Sequence, residues 1–286
     1  GSSLVALLAQ DWAMFDQTVI TSANASRLIV DILGDAPYVE AKYLPSTEYE
    51  SDSILKWSTF REELMHQNRY FPTSDIDHER LKSLLPHLLL APDEIGNTWW
   101  RVRLQEGDTP HPVEKMGAPP KSKATHGRAN PAGIPYLYMA SNPTTAIAEV
   151  RPHTGQLVTV ADFQISDGLA IVDLATPRKT VSPFALEDEG LTGQLRADIG
   201  FLEHLGEELS RPVLPNSAAV AYTPSQYLCE YIKKCNYDGV RYTSSVGDGT
   251  NLALFSPAAA KAVSACSHRV TQVSVCHETI SNQTEQ

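Results

Sequence analysis

Residues 127–152 read "GRANPAGIPYLYMASNPTTAIAEVRP". The small and apolar run at 136–140 predicts a buried strand. A short helix follows, with Ser141 or Asn142 as N-cap, Pro143 in the first turn and Pro152 as the stop. Three side chains do not suit a core-forming segment. Glu149 falls in the last helical turn, where the helix dipole disfavours a carboxylate. It stands among Ala146, Ile147, Ala148 and Val150, and such a broken local rule marks a functional position. The plain alternative is a surface ion pair with Arg151, of small energetic consequence. Arg128 follows Gly127 in a loop. A guanidinium there offers two parallel hydrogen bonds that suit a phosphate, against the alternative of a solvated loop charge. Tyr138, at the strand's end, presents a ring face for stacking or packs as a core tyrosine with a satisfied hydroxyl.

Downstream, strand-like runs fall at 156–165, 169–174, 239–245 and 251–256, and helix-like runs at 143–150, about 191–209 and 225–235. Upstream, "TWWRVRLQ" (98–105) alternates Trp100, Val102 and Leu104 with Arg101 and Arg103, which is a strand pattern. Between them, 106–135 is a proline-rich loop, and a long loop in a compact domain is functional or disordered. These elements predict an α+β fold rather than regular βαβ alternation. The Ala-rich segment after Pro257 reads as helix, and "HETISNQTEQ" as a frayed tail.

The first 95 residues read as helical: 26–34 with Gly34 as stop, 52–67 with Asp52 as N-cap, and 77–90 interrupted by Pro86. The expected organisation is therefore a helical N-terminal domain over 1–95 (regulatory or for oligomerisation), a catalytic domain over 96–262, and a C-terminal tail over 263–286.

The chain has 286 residues, 42% of them hydrophobic, and a net charge of −11. Its length and composition suit a soluble globular protein of one large or two unequal domains. An acidic chain repels nucleic acid as a whole, which argues against a broad nucleic-acid footprint. The charge is uneven. From 101 to 128 six basic residues stand against three acidic ones, whereas 184–210 carries seven acids and one arginine. The four cysteines (229, 235, 266, 276) form no CxxC pair and read as free thiols in a reducing compartment, without a zinc site. No apolar run reaches the roughly 18 residues of a membrane span, and no basic region precedes the N-terminal apolar residues, so no signal peptide is expected.

In "YDGVRYTSSVGDGTNLALF" (237–255) a strand runs into a Ser-Gly-Asp-Gly-rich loop and a second strand. The bland reading is a hairpin. Ser244 and Ser245 offer polar contacts, and no Gly-x-Ser-x-Gly elbow surrounds them. With the opening stretch, this segment resembles the RES family, named for an arginine, a glutamate and a serine. The patterns GR-x-NP-x-G, LY-x-A, TAIAEV and DG-x-x-Y-x-S occur in register, over roughly residues 97–257. The helical front end and "MGAPP" (116–120) resemble the family's longer members.

The resemblance implies an ADP-ribosyltransferase-like split β core flanked by helices, and an NAD+-consuming toxin of a toxin–antitoxin pair acting in the cytoplasm. It places the family's catalytic arginine, tyrosine, glutamate and serine on Arg128, Tyr138, Glu149 and Ser244. Arg128, Tyr138 and Ser244, with Arg101 as a further pocket member, would bind NAD+ as substrate. No other cofactor and no metal are expected. A Xre-type antitoxin is the implied partner, and a homo-oligomer remains open. Two other readings stand beside NAD+ hydrolysis or phosphorolysis. One is ADP-ribosyl transfer to a macromolecule, against which Ile147 stands two residues before Glu149, where arginine-directed transferases carry a second acid. The other is ribonuclease activity of the N-terminal helices, because Arg61 and His66 in "REELMH" resemble the Arg-x4-His signature of HEPN ribonucleases.

Overall fold

The computed structural model describes residues 1–16, 18–183, 189–214, 216–275 and 277. The polar tail beyond His277 and Cys276 lie outside these residues. The chain opens with a two-residue strand β1 (Ser2–Ser3), helices α1 (Leu4–Trp12), α2 (Ser22–Leu33) and α3 (Ala36–Glu40), and strand β2 (Lys42–Tyr43) paired antiparallel to β1. Gly34 closes α2 in the left-handed conformation (φ 68°), as expected of a C-cap glycine. Helices α4 (Ser53–His66), α5 (His78–Leu84) and α6 (Pro92–Ile95) follow. Asp52 stands at the N-cap of α4 but makes no capping bond; its carboxylate pairs with Lys56 instead.

The remaining elements are β3 (Thr98–Leu104), β4 (Leu137–Ala140), α7 (Pro143–Glu149), β5 (Leu157–Ile165), β6 (Ile171–Asp173), α8 (Pro177–Thr180), α9 (Glu189–Ser210), α10 (Ala218–Ala221), α11 (Thr223–Lys234), β7 (Gly239–Thr243), β8 (Thr250–Leu254) and β9 (Ala260–Arg269). Seven strands form one sheet in the order β6-β7-β8-β4-β3-β5-β9, antiparallel except for β6–β7, and the fold is α+β as the sequence predicts. The sheet is split near its middle. β3 pairs with β5 along its whole length from Thr98 to Leu104, yet meets β4 at a single position, Trp100 opposite Ala140. The site described below opens at this fork.

Side-chain alternation assigns the two faces. Leu137 and Met139 point with Trp99, Ala161, Phe163, Leu252 and Leu254 into one apolar layer, closed by Leu90, Ile95 and Met116. Tyr138, Val240, Tyr242 and Ala253 face the other way, against Trp57, Phe60 and Leu64 of α4, Leu202, Leu205 and Leu209 of α9, and Leu228 and Ile232 of α11. One core therefore takes residues from both sides of the expected boundary at 95/96. The chain before the boundary also joins the sheet itself: Leu89 bridges Val172, and Leu90 N–H donates to Ile171 O (3.1 Å).

The C-terminal expectation is overturned. Residues 260–269, read as helix and then tail, form β9, which pairs with β5 from Leu157 to Ile165. Alanine favours helix by only a few tenths of a kcal/mol per residue over most others. The unpaired backbone groups along one side of β5 demand partners, and the pairing wins.

Candidate active site

Arg101, Arg128, Tyr138 and Glu149 line one cavity of about 390 Å³ at the β3–β4 fork, with Trp100, His126, Tyr136, Tyr222, Tyr242 and Asn251. This volume lies within the roughly 300–1,000 Å³ of small-molecule sites. Its lining begins at Trp100, so α1–α6 neither enter nor cover it.

Glu149 is delivered by α7. Asn142 is the N-cap and accepts from Thr145 N–H (2.7 Å), with Pro143 at the first helical position. The loop after β7 is fastened to this helix: Gly249 N–H donates to Thr145 Oγ1 (3.1 Å), and Thr250 N–H to Ser141 Oγ (3.0 Å). A Cβ on Gly249 would fall 2.6 Å from Ser141 Oγ and Thr145 Oγ1, so the close approach requires glycine. Ser244 Oγ then donates to Glu149 Oε1 (2.7 Å), and Asn251 Nδ2 donates to the same oxygen (2.6 Å). Among the described residues Oε2 accepts no hydrogen bond. The ion pair with Arg151 is not made. Two neutral donors hold one oxygen and direct the carboxylate.

Ser244, expected as a ligand contact, is engaged with the glutamate. Its hydroxyl donates to Glu149 and accepts from Val246 N–H (3.2 Å) and Gly247 N–H (3.1 Å), and it does not line the cavity. It orients the glutamate. Tyr138 also spends its hydroxyl on structure. It donates to Asn130 Oδ1 (2.7 Å) and accepts from Ala129 N–H (3.0 Å). Burial raises its pKa far above the usual phenol range. The ring is what Tyr138 offers the cavity.

The loop bearing Arg128 is built around buried Asn130, whose amide donates to the carbonyls of Thr125, Pro131 and Ile134 at 2.9–3.0 Å. Helix α11 grips it from below: Gln226 Nε2 donates to Gly127 O (2.9 Å) and Ser225 Oγ to Arg128 O (2.6 Å). The Arg128 guanidinium lies 5.4 Å from the Tyr222 ring centre. Nη1 donates to the carbonyls of Leu209 (3.1 Å) and Arg211 (2.5 Å), and Nη2 to Ser245 Oγ (2.9 Å). It therefore caps the C-terminus of α9, where unpaired carbonyls and the helix dipole favour a cation.

Arg101 sits at the fork. Its Nη1 donates to Tyr138 O (2.8 Å), satisfying a carbonyl that the split leaves without a strand partner, while its buried Nε has no partner. Burial, with Arg103 nearby, lowers its pKa to about 10. No carboxylate pairs with it among the described residues. A partly buried cation without a counter-ion suits an anionic ligand. The lysines of the basic stretch, Lys115, Lys121 and Lys123, are exposed and do not line the cavity.

Asn130 and Asn251 carry much of this geometry without having been singled out from the sequence. Asn130 stands inside the GR-x-NP pattern; Asn251, polar at the start of an apolar strand run, was the available signal. Arg61 and His66 do not form a site: Arg61 pairs with buried Glu208 (2.9 Å), and His66 is exposed beside Glu62.

A family model described as RES domain matches residues 98–274. No curated protein matches the sequence. Among solved structures, a chain of the "Crystal structure of the M.tuberculosis MbcT-MbcA toxin-antitoxin complex" is similar at 15% identity and a TM-score of 0.39. The similarity covers 67% of this chain and 93% of that one.

Proposed function

The chain belongs to the RES domain family, and from that premise and the cavity's geometry we propose that it is an NAD+-consuming enzyme that cleaves the nicotinamide–ribose bond. The observation that carries the reading is the Glu149 carboxylate, fixed through Oε1 by Ser244 and Asn251 in a cavity that also holds Arg101 and Arg128. Breaking the glycosidic bond passes through an oxocarbenium-like state. The bonding pair leaves with the nicotinamide nitrogen, which becomes neutral, so the leaving group needs no general acid. Positive charge grows on the ribose, and a preoriented carboxylate stabilises it. A water or phosphate oxygen then bonds to the ribose carbon; water loses a proton in doing so. The products are nicotinamide with ADP-ribose, or with its phosphorylated form.

Arg101 and Arg128 give the cavity a positive wall for the diphosphate, and the rings of Tyr138 and Tyr222 give flat surfaces for the heterocycle or ribose. No metal enters this scheme. Ile147, apolar where an activating acid would serve a protein acceptor, favours water or phosphate over transfer to a macromolecule. A growth-arresting toxin of the cytoplasm, restrained by a Xre-type antitoxin, is the corresponding biological proposal.

NAD+ loss by the purified protein, with and without phosphate and with products separated, tests the reaction and names the acceptor. Glu149→Gln should keep the melting temperature and lose turnover. Undiminished turnover in that variant would remove Glu149 from the mechanism. Adenine-derived label recovered on protein instead of free ADP-ribose would establish transfer.

A further inference from the structure

Helix α9 buries two carboxylates, Asp198 at 4% exposure and Glu208 at 6%. Asp198 takes its counter-charge from the N-terminal helices, and Glu208 is shared between those helices and Arg211. Arg80 of α5 reaches Asp198 Oδ2 through Nε and Nη2, each at 2.7 Å, and Ser51 Oγ donates to Oδ1 (2.7 Å). Arg61 of α4 stands with Nε 2.9 Å from Glu208 Oε1, a buried charge pair in which the Nε–H is not aligned for a hydrogen bond. The two pairs differ in what lies beyond them. Asp198 is in the body of the helix. Glu208 is in its last turn, 3.4 Å from the Arg211 guanidinium, and the carbonyls of Leu209 in that turn and Arg211 just after it are the two that hold Arg128 Nη1.

We infer that Arg61 is a positioning residue for the active site: through Glu208 it sets the C-terminal turn of α9, and that turn sets the Arg128 guanidinium at the cavity. The N-terminal helices are then part of the apparatus that binds the substrate's anion, although none of their atoms lines the cavity. The effect on substrate rests on the reading of Arg128 as a diphosphate contact; the coupling of Arg61 to Arg128 does not.

The test uses the full chain. Arg61→Ala, Arg80→Ala and Arg128→Ala, and the double variants of Arg128→Ala with each of the other two, are melted without ligand and assayed with NAD+. Both N-terminal variants should lower Tm. Only Arg61→Ala should raise KM for NAD+, by about tenfold, the loss of one charged hydrogen bond, with kcat little changed. In the Arg128→Ala background it should raise KM no further. Equal KM shifts from Arg61→Ala and Arg80→Ala would overturn the inference, as would a shift that survives without Arg128.

The melting data read the same coupling with no substrate. Tm losses of Arg61→Ala and Arg128→Ala should fall short of their sum, and those of Arg80→Ala and Arg128→Ala should add. Should Arg61→Ala fail to fold, Arg61→Lys and Glu208→Gln carry the same cycle. A protein inert toward NAD+ that still shows this non-additivity would discard the substrate reading and keep the positioning. Strict additivity of the first pair overturns the positioning whatever NAD+ does.

Discussion

Tyr138 shows how a side chain found by pattern acquires a different task once its atoms are located. Its position at the end of a strand-like run suggests a ring contact or a satisfied core hydroxyl, and within β4 the hydroxyl is satisfied while the ring lines the cavity. Tyr138→Phe keeps the ring and strands two buried groups, Ala129 N–H and Asn130 Oδ1. Each unsatisfied group costs about 1–3 kcal/mol, so denaturant unfolding should show a loss of that order. A variant with unchanged stability and abolished turnover would instead give the hydroxyl a chemical role. Glu149 was legible because a carboxylate in the last turn of an apolar helix violates a local rule. Its partners were not. Ser244 and Asn251 lie 95 and 102 residues along the chain, and no periodicity links a helix end to the loop and strand that sit over it. Ser244 was legible as a polar contact in the loop after a strand, and its hydrogen bond to the glutamate was not.

Elements were most legible where a local stop signal agreed with tertiary packing. The proline and asparagine bounding α7 and the glycine after α2 are of this kind. β9 was misread because its alanines carry no strand signal, and the cause of its conformation, the open side of β5, lies about a hundred residues upstream in sequence. The α4 helix carries a device that composition alone hides. Glu63 near its C-terminal end accepts from Thr73 N–H (2.6 Å) and Ser74 N–H (2.7 Å) and from both hydroxyls, pinning the following loop to the helix. Those bonds, the Ser74 hydroxyl first, lower its carboxyl from 4.5 to about 2. A depressed carboxyl contributes stability fully above its unfolded pKa and loses it as pH falls through the folded one. The Tm difference between the protein and its Glu63→Gln variant should therefore be full above pH 4.5, shrink below it, and be nearly gone by about pH 2. A difference that stays constant across this window would mean that Glu63 acts through packing rather than charge.

At the scale of the molecule, the charge asymmetry of the sequence has a structural meaning that its first reading missed. Among the described acids of α9, Glu207 is exposed while Asp198 and Glu208 are buried. Arginines from before residue 95 pair with both buried carboxylates, Arg80 with Asp198 and Arg61, beside Arg211, with Glu208. The apolar core runs the same way: Trp57 stacks edge-on against Phe201 at 6.5 Å, and Phe60 against Tyr227 at 4.9 Å. A boundary drawn where the hydrophobic period changes from helical to extended is correct about local structure and silent about which faces meet. Residues 96–286 alone would expose the inner sides of α9 and α11, leave Asp198 without its cation, and leave Glu208 with Arg211 alone. Breaking one buried ion pair by removing a partner costs about 3–5 kcal/mol, and that loss at Asp198 together with the apolar faces newly bared on α9 and α11 consumes much of the roughly 5–15 kcal/mol that holds a domain folded. The truncated chain should therefore lack a cooperative thermal transition and a near-ultraviolet circular dichroism signal, and should be inert toward NAD+ for want of a folded site. A sharp melt with retained near-ultraviolet signal would show that the sheet and its flanking helices stand alone. If that fragment also turned NAD+ over faster than the full chain, the N-terminal helices would be a brake rather than a brace.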